Sequence, residues 1–240
     1  MATKPSISKG TRDFSSVEIA KRNYLKNILQ ITFEEYGFSP IETPSFEKLE
    51  TLTGVYGDEG DRLVFKILNS GEKIKRADIS AYNNGENHKF IKSISEKALR
   101  YDLTVPFARY VVQHQNELTF PFRRYQIQPV WRADRPQRGR FQEFIQCDAD
   151  IVGNRSLWQE VEVLHLYDRI FNKLKIKDVN LRVNHRNILE AIITIFEDKS
   201  RIYDFTVTLD KLNKIGKKEV FKELIVKNFH SKLLDIIEKI

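Results

Sequence analysis

Residues 122–153 read FRRYQIQPVWRADRPQRGRFQEFIQCDADIVG, and this stretch decides the fold. It contains two runs rich in apolar and β-forming residues, at about 122–132 and 140–151. An arginine-rich loop, RADRPQRGR at 132–140, joins the two runs. Two such runs around a turn-rich loop predict an antiparallel β-hairpin.

The second strand of this hairpin has two chemically different faces when it is read with a period of two. One face is apolar apart from Glu143, and its members are Phe141, Ile145, Cys147, Ala149 and Ile151. The other face is polar with one aromatic ring, and its members are Arg140, Gln142, Phe144, Gln146, Asp148 and Asp150. Buried polar groups need partners, which a bound polar ligand would supply. An exposed hairpin with surface salt bridges explains the pattern equally well, and Cys147 is expected to be packed rather than nucleophilic.

The rest of the chain alternates between predicted helices and strands, which indicates an α+β fold. Ser15 and Glu18 form a capping-box pattern that opens a helix ending at Gly37. Other predicted helices cover 46–52, about 104–113 with Thr104 as the cap, 156–174, 187–197 and most of the chain after 198. Other predicted strands cover 38–43, 62–68, 99–103, 179–184 and the strand-like IYDFTVTL, whereas 75–95 is predicted to be an exposed loop.

Composition excludes several classes of protein. With 240 residues, 41% of them hydrophobic, the chain can bury a core. It has neither a secretory signal nor an apolar run that could span a membrane, and its single cysteine excludes disulfide frameworks and cysteine zinc clusters. The expected location is therefore the cytoplasm. No P-loop or Rossmann glycine motif and no metal-binding histidine pair occur, so the expected metal site is none.

The net charge of +7 favours a polyanionic partner such as nucleic acid or nucleotide, although ordinary solubility explains it equally well. The lysine-rich stretch at 211–240 is expected to be a solvated helical face, with a contact to the acceptor arm of a tRNA as the functional alternative.

Four stretches of the sequence resemble one family. Residues 122–153 are similar to motif 2 of the class II aminoacyl-tRNA synthetases, and in detail to the histidyl-tRNA synthetase family. ALRYDLTVPFARYV at 98–111 resembles the amino-acid-binding segment of that family. KGTRDF at 9–14 and YGFSPIETPSFE at 36–47 resemble its amino terminus and motif 1.

The resemblance implies a class II synthetase-type antiparallel β-sheet flanked by helices, incomplete here and followed by part of a mostly helical insertion domain. Residues 1–195 are expected to form the catalytic core with motifs 1 and 2, and residues 196–240 the start of the insertion domain. Motif 3 and its ATP-binding arginine have no counterpart in the sequence. The chain is therefore expected to be the amino-terminal part of such an enzyme.

The resemblance also implies how ATP would be bound. Arg132 is expected to be the catalytic arginine of motif 2, which contacts the α-phosphate where charge develops. Asp134 is expected to hold the adenine side of the nucleotide or to order the loop, and Arg140 to reach the terminal phosphates. Phe144 is expected to stack on adenine.

The same resemblance implies how histidine would be bound. Asp102, Thr104 and Gln146 are expected to bind the α-amino group, and Asp150 to accept a hydrogen bond from the imidazole. Many family members carry glutamate at positions 102 and 150. The shorter aspartate keeps the charge but moves it inward.

The implied activity is the activation of histidine with ATP, with Mg²⁺ bound to the nucleotide and no dedicated protein site for the metal, followed by transfer to tRNA(His). The implied partners are histidine, tRNA(His) and a second copy of the chain through the motif 1 region around Pro44, with no membrane partner. The isolated chain is expected to be inactive in aminoacylation and to bind ATP weakly. The alternative is a non-catalytic paralogue that regulates histidine biosynthesis or senses tRNA. The retained ligand-type residues favour the enzyme.

Overall fold

The computed structural model describes residues 4–55, 57–195, 199–230 and 233. The chain forms two compact units, Met1–Val179 (unit 1) and Asn180–Ile240 (unit 2). The boundary between the two units falls at 179/180, earlier in the sequence than the domain boundary expected at 195/196. Residues 196–198 lie outside the described residues.

Unit 1 contains both sheets. Its helices are α1 (Ser16–Glu35), α2 (Leu49–Leu52), α3 (Gly57–Leu63), α4 (Ile79–Asn83), α5 (Asn87–Ile94), α6 (Thr104–Gln113) and α7 (Trp158–Lys173), with a 3₁₀ turn at Gly71–Arg76. Its strands are β1 (Ser39–Pro40), β2 (Phe46–Lys48), β3 (Lys66–Ile67), β4 (Lys97–Leu99), β5 (Phe122–Trp131) and β6 (Glu143–Val152). The predicted α+β fold is confirmed.

The larger sheet has the order β1-β5-β6, and the predicted hairpin is its centre. Strands β5 and β6 pair antiparallel along their whole length, from Phe122 opposite Val152 to Trp131 opposite Glu143. Strand β1 adds a short parallel pair to β5, so the sheet is mixed at that edge. The smaller sheet has the antiparallel order β2-β4-β3.

One face of the larger sheet packs against helices α1 and α7. Tyr125 of β5 is buried with Phe33 and Phe38 from the α1 segment and with Leu166 and Ile170 of α7. The rings of Phe33 and Tyr125 are stacked, with their centroids 5.2 Å apart. This apolar layer covers one face of the hairpin, and Phe107 of α6 lies over Arg124 on the other face.

Two predictions about the helix starts in unit 1 have different outcomes. The capping box is confirmed, because Ser15 Oγ accepts from the amide of Glu18 while Glu18 Oε2 accepts from the amide of Ser15 at 2.9 Å. Thr104 as the cap of α6 is wrong. Instead, Oδ1 of Asp102 accepts from the amides of Thr104 and Val105 at 3.1 and 3.2 Å, so the aspartate two residues earlier supplies the cap.

Four local predictions in unit 1 are also wrong, and the first is the helix expected at 46–52, because Phe46–Lys48 is strand β2 and only Leu49–Leu52 is helical. Residues 62–68 were expected to be one strand, but α3 ends at Leu63 and β3 is only two residues long. The stretch 75–95 is not a loop, because α4 and α5 lie within it. Ala81 is fully buried and Ile91 packs against a core cluster, so tertiary packing overrides the polar composition. The strand expected at 99–103 is β4, which ends at Leu99.

Unit 2 is helical. It contains α8 (Arg186–Thr194), a 3₁₀ turn (Lys199–Arg201), α9 (Ile202–Leu209) and α10 (Leu212–Val226), which is interrupted at Gly216, around a core of Ile193, Phe205, Val220, Leu224, Phe229 and Leu233. The strand predicted at 179–184 is absent from the described residues there, and IYDFTVTL is helix α9. Hydroxyl groups of Thr206 and Thr208 donate to carbonyls four residues earlier, which accommodates threonine in this helix.

The described part of the lysine-rich stretch is a helical face as predicted, since the side chains of Lys214, Lys217, Lys218 and Lys222 are exposed. The remainder of the predicted stretch, residues 231, 232 and 234–240, lies outside the described residues. None of the described helices is long and apolar enough to span a bilayer.

Candidate active site

The polar face of the β5–β6 hairpin is built from side chains that stand directly opposite each other. Alternation puts one set of side chains from both strands on the face away from α1 and α7, which we call the site face. Its cross-strand pairs are Arg124 with Asp150, Gln126 with Asp148, Gln128 with Gln146, and Val130 with Phe144. Along β6, the distance from Phe144 to Asp150 is about 20 Å at ~3.3 Å per residue, which suits an extended ligand.

Of the four residues predicted to bind histidine, Asp150 and Asp102 lie near Arg124 at one end of this face, and Gln146 lies nearer the middle. Asp150 lies opposite Arg124, with Oδ2 2.6 Å from Nη2. Asp102, from the segment before α6, is near enough to influence the pKa of Arg124. Gln146 follows along β6, and its Oε1 is buried without a hydrogen-bond partner among the described residues. Thr104, the fourth, is the exposed first residue of α6.

Electrostatics at this end of the face are dominated by carboxylates. Burial raises the pKa of Asp148, and the nearby charges of Asp150 and Asp102 raise it further. The positive charges of Arg124 and Arg132 act in the opposite direction. A cationic group such as an α-ammonium would relieve the repulsion between these carboxylates.

Arg132 lies at the other end of the face, between two aromatic rings. Its guanidinium carbon is 4.4 Å from the ring centroid of Tyr101 and 5.2 Å from that of Phe144. Its Nε donates to the carbonyl of Tyr101 at 3.1 Å, and its backbone amide donates to Gln142 at 2.9 Å. These contacts fix a planar cation beside Phe144, in a position suited to a phosphate oxygen.

The hairpin loop is ordered by its own side chains. Arg140 Nη2 is 2.9 Å from Asp134 Oδ1, and Gln142 Nε2 donates to the carbonyl of Asp134. The amino-terminal segment crosses this loop, where the amide of Gln142 donates to the carbonyl of Gly10 at 2.7 Å. Gly10 has φ +80°, and a Cβ there would lie 2.6 Å from Cγ of Gln142, so this crossing requires glycine.

Residues contributed by β5 were missed by the sequence reasoning. Reading FRRYQIQPVW with a period of two would have put Arg124, Gln126 and Gln128 on one polar face. Gln126 Nε2 donates to Thr43 Oγ1 at 2.8 Å and to Gln128 Oε1 at 2.5 Å. This buried network fixes the amide of Gln128 opposite Gln146.

Arg100 was also missed, and its guanidinium donates hydrogen bonds to members of this network. It is fully buried, its Nε donates to the carbonyl of Pro129 at 2.8 Å, and its Nη1 donates to the carbonyl of Thr43 at 2.6 Å and to Gln128 Oε1 at 3.1 Å. Burial lowers its pKa from the usual arginine value. No sequence signal identifies it, because these partners come from segments that are distant in the chain.

A cavity of about 550 Å³ lies on the opposite side of the sheet, between α1 and the edge of β6. Its lining includes Leu29, Ile127, Ile145 and Cys147. The prediction that Cys147 is packed is wrong, since the residue is exposed at this edge strand. Partial desolvation beside the apolar lining of this cavity, together with the charge of Asp148, nevertheless raises the pKa of the Cys147 thiol to about 11, which argues against a nucleophile at neutral pH.

Metal-ligating side chains do not converge in unit 1 or in the described part of unit 2. Among the described residues, no group of three or more His, Cys, Asp and Glu side chains could hold a metal ion.

Comparisons with known proteins identify the family. A family model described as histidyl-tRNA synthetase matches residues 86–239. The histidine–tRNA ligase of Christiangramia forsetii is 61% identical over 240 residues, which is 100% of this chain and 53% of the relative. That of Flavobacterium johnsoniae is 54% identical over 95% of this chain and 52% of the relative. The chain thus spans about half the length of the curated relatives it matches.

Solved structures agree with this result. The crystal structure of histidyl-tRNA synthetase from Nostoc sp. PCC 7120 matches with a TM-score of 0.78 and 28% sequence identity, over 99% of this chain and 48% of that chain. Class II architecture, family profile and relatives lead to one conclusion: this chain belongs to the histidyl-tRNA synthetase family.

Proposed function

We propose that this chain is the amino-terminal part of a cytoplasmic histidine–tRNA ligase, which activates histidine with ATP and transfers it to tRNA(His). The observation that carries this proposal is the site face. Carboxylates at Asp102 and Asp150 lie at one end, and Arg132, fixed between the rings of Tyr101 and Phe144, lies at the other. The ammonium group of an amino acid needs a carboxylate partner, and the phosphates of a nucleotide need an arginine.

In this proposal, Asp102, Thr104 and Gln146 bind the α-amino group of histidine, and Asp150 accepts a hydrogen bond from the imidazole. The residual negative charge at that end of the face supports an ammonium ligand, because carboxylates outnumber arginines there. The α-carboxylate of histidine then points along β6 toward Arg132.

Arg132 is proposed to contact the α-phosphate of ATP, with Phe144 stacked on adenine and Arg140 on the terminal phosphates. The histidine carboxylate attacks the α-phosphorus, and pyrophosphate leaves with its electron pair. Arg132 stabilises the negative charge that develops on the α-phosphate oxygens. The ion pair between Arg140 and Asp134 has to open or rearrange for Arg140 to reach phosphates. Mg²⁺ is proposed to arrive with ATP.

The terminal hydroxyl of the tRNA then attacks the carbonyl carbon of the histidyl adenylate, so that an ester forms, the mixed anhydride bond breaks and AMP leaves. Motif 3 is absent from the sequence, so we propose that the isolated chain does not aminoacylate tRNA and binds ATP weakly. A second copy is proposed to pair through the motif 1 region around Pro44. Residues 1–195 are proposed as the catalytic core and 196–240 as the start of an insertion domain, with the exposed lysines of α10 as a candidate tRNA contact.

The experiment that tests this proposal measures binding to the 240-residue chain by calorimetry and NMR. We expect histidine and ATP to bind, and the non-hydrolysable histidyl sulfamoyl adenylate to bind more tightly than either, because it occupies both ends of the face. Arg132→Ala should weaken ATP and the analogue at least about tenfold, since it removes a charge-assisted contact. Arg138→Ala, in the same loop and exposed, is the matched control and should leave both unchanged.

Equal ATP affinity for Arg132→Ala and Arg138→Ala would contradict the role of Arg132. Formation of histidyl-tRNA by the isolated chain would contradict its proposed inactivity. A non-catalytic paralogue should show no preference for the adenylate analogue. That alternative is not favoured, because both curated relatives described above are named histidine–tRNA ligases at 54–61% identity.

A further inference from the structure

Arg124 is a buried charged side chain to which none of the roles above is assigned. It is 0% exposed, and its Nη2 lies 2.6 Å from Oδ2 of Asp150 across the β5–β6 pair. The Phe107 ring of α6 covers the guanidinium at 4.1 Å from its carbon to the ring centroid. None of its three guanidinium nitrogens has a partner in hydrogen-bond geometry in the part of the chain that is described, so the contact of Nη2 with Asp150 is an ion pair. Burying a cation with incomplete hydrogen bonding is costly, so packing alone does not account for an arginine here.

Asp150 is held on one side and open on the other. One of its carboxylate oxygens contacts Arg124, whereas 41% of its side chain is exposed on the site face. A carboxylate fixed in this way accepts a hydrogen bond from a ligand with its other oxygen, without first losing rotational freedom. The fully buried Arg124 is covered from a ligand, so it acts on one through the carboxylates that it faces, and Asp150 is the one that it contacts.

Arg124 also faces the other charged groups of this end of the site. Asp148 and Asp150 reach it from β6 and Asp102 from the segment before α6, and all three carboxylates oppose the lowering of its pKa by burial. Arg132 is the other cation that acts on Asp148. One buried arginine is therefore the shared counter-ion of three carboxylates.

We propose that Arg124 is a positioning residue for amino-acid recognition, which orients the Asp150 carboxylate to accept a hydrogen bond from the ligand side chain. This inference rests on the proposed function, which identifies that ligand as histidine. An arginine with a purely structural role would, when replaced, weaken every ligand of the site face alike. A positioning residue affects histidine and leaves ATP unchanged, because ATP is proposed to bind at Arg132 and Phe144.

The test compares Arg124→Met, Arg124→Lys and the control Arg123→Gln in the 240-residue chain. Arg123 is the adjacent arginine of β5, on the opposite face, where its Nη2 lies 2.6 Å from Glu162. Dissociation constants for histidine and ATP are measured separately. We expect Arg124→Met to weaken histidine at least about tenfold with ATP within about twofold, Arg124→Lys to recover most of the loss, and Arg123→Gln to match the wild type.

Two binding outcomes would overturn the inference: unchanged histidine affinity in Arg124→Met, or an equal loss for histidine and ATP. If Arg124→Met does not fold, the double variant Arg124→Met/Asp148→Asn removes one buried charge of each sign. It should fold and show the same selective loss of histidine affinity. A normal histidine affinity in the double variant would refute the positioning role.

A ligand-free measurement separates this inference from the proposed function. The carboxyl carbon of Asp150 is followed by NMR at neutral pH in the wild type and in Arg124→Met. Because the Arg124 guanidinium lies 2.6 Å from Oδ2 of Asp150, its removal should shift that carbon resonance, whereas Arg124→Lys should shift it less. An unmoved Asp150 resonance in Arg124→Met overturns the inference. Failure of the wild-type chain to bind histidine would instead count against the proposed function, with the Asp150 resonance still decisive for Arg124.

Discussion

The core of unit 2 is apolar, whereas unit 1 buries charged and amide side chains beneath its site face. The described core of unit 2 is a cluster of aliphatic and phenyl groups around Phe205. Unit 1 buries Glu47, Arg100, Arg124 and Gln126 as well as its apolar clusters. Buried charges cost free energy unless they are paired, so the buried Arg124 on the site face marks where unit 1 is built for a polar ligand.

The interiors of the two units have different roles. In unit 2, the interior fulfils the ordinary requirement of removing apolar surface from water. In unit 1, part of the interior fixes the site, since Arg100 and Gln126 hold Gln128, and Arg124 holds Asp150. The comparison predicts that the free energy of unfolding of unit 2 depends mainly on its buried apolar side chains. That of unit 1 should also fall when a buried ion pair is broken.

The largest expected effect is in the apolar core of unit 2. Phe205→Ala should destabilise unit 2 by about 3–5 kcal/mol, because it removes a fully buried ring and leaves a cavity. Amide hydrogen exchange of α9 and α10 measures the loss. Tyr203→Ala, on the same helix but 74% exposed, is the control and should change stability by less than about 0.5 kcal/mol. Equal losses for the two variants would show that unit 2 lacks the apolar core described here.

A smaller loss is expected for a buried ion pair of unit 1. Arg109 makes two contacts to Glu47, with Nη2–Oε1 at 2.6 Å and Nε–Oε2 at 3.1 Å. Arg109→Met should cost about 2–3 kcal/mol in urea unfolding, because it leaves a buried carboxylate unpaired. Lys75→Met breaks an exposed pair with Glu72 and should cost less than about 0.5 kcal/mol. A loss for Arg109→Met as small as that of the control would remove the distinction between the two interiors.

The smallest expected effect compares one glycine in each unit. Gly10 and Gly216 both have φ +80°, and ψ of Gly216 is 163°, a region that is essentially restricted to glycine, so alanine at either position should cost about 1–3 kcal/mol of backbone strain. Only Gly10→Ala also meets a neighbour, because its Cβ would lie 2.6 Å from Gln142, whereas Gly216 faces open space. Gly10→Ala should therefore lose more stability and shift the amide resonance of Gln142. Identical losses and an unmoved Gln142 would contradict the described crossing of the loop.

Much of the fold followed from local sequence pattern. The hairpin of 122–153, helix α1 with its capping box, and helix α7 were predicted, because alternation, helical spacing and capping residues are local signals. The segment 75–95 and helix α9 were not predicted. Their composition is polar or β-branched, and only the burial of Ala81 and Phe205 in tertiary contacts makes them helical.

The candidate site was predicted in part. The residues on β6 and Arg132 came from period-two alternation and family resemblance, and the structure places Phe144, Gln146 and Asp150 on one face. Their roles stay predictions. The partners on β5 could have been found by the same alternation, whereas Arg100 could not, because its contacts join Thr43 and Pro129 through folding alone.

The sequence by itself determined the family, the hairpin and the chemical types of the site residues, because these depend on residue identity and on spacing along one strand. Only the tertiary structure decided which charges face each other. It placed Arg124 opposite Asp150 on the neighbouring strand, and Arg132 between the rings of Tyr101 and Phe144. Cross-strand register and the docking of α6 bring together residues that are far apart in the chain, and pairing of that kind is fixed by packing rather than by local sequence.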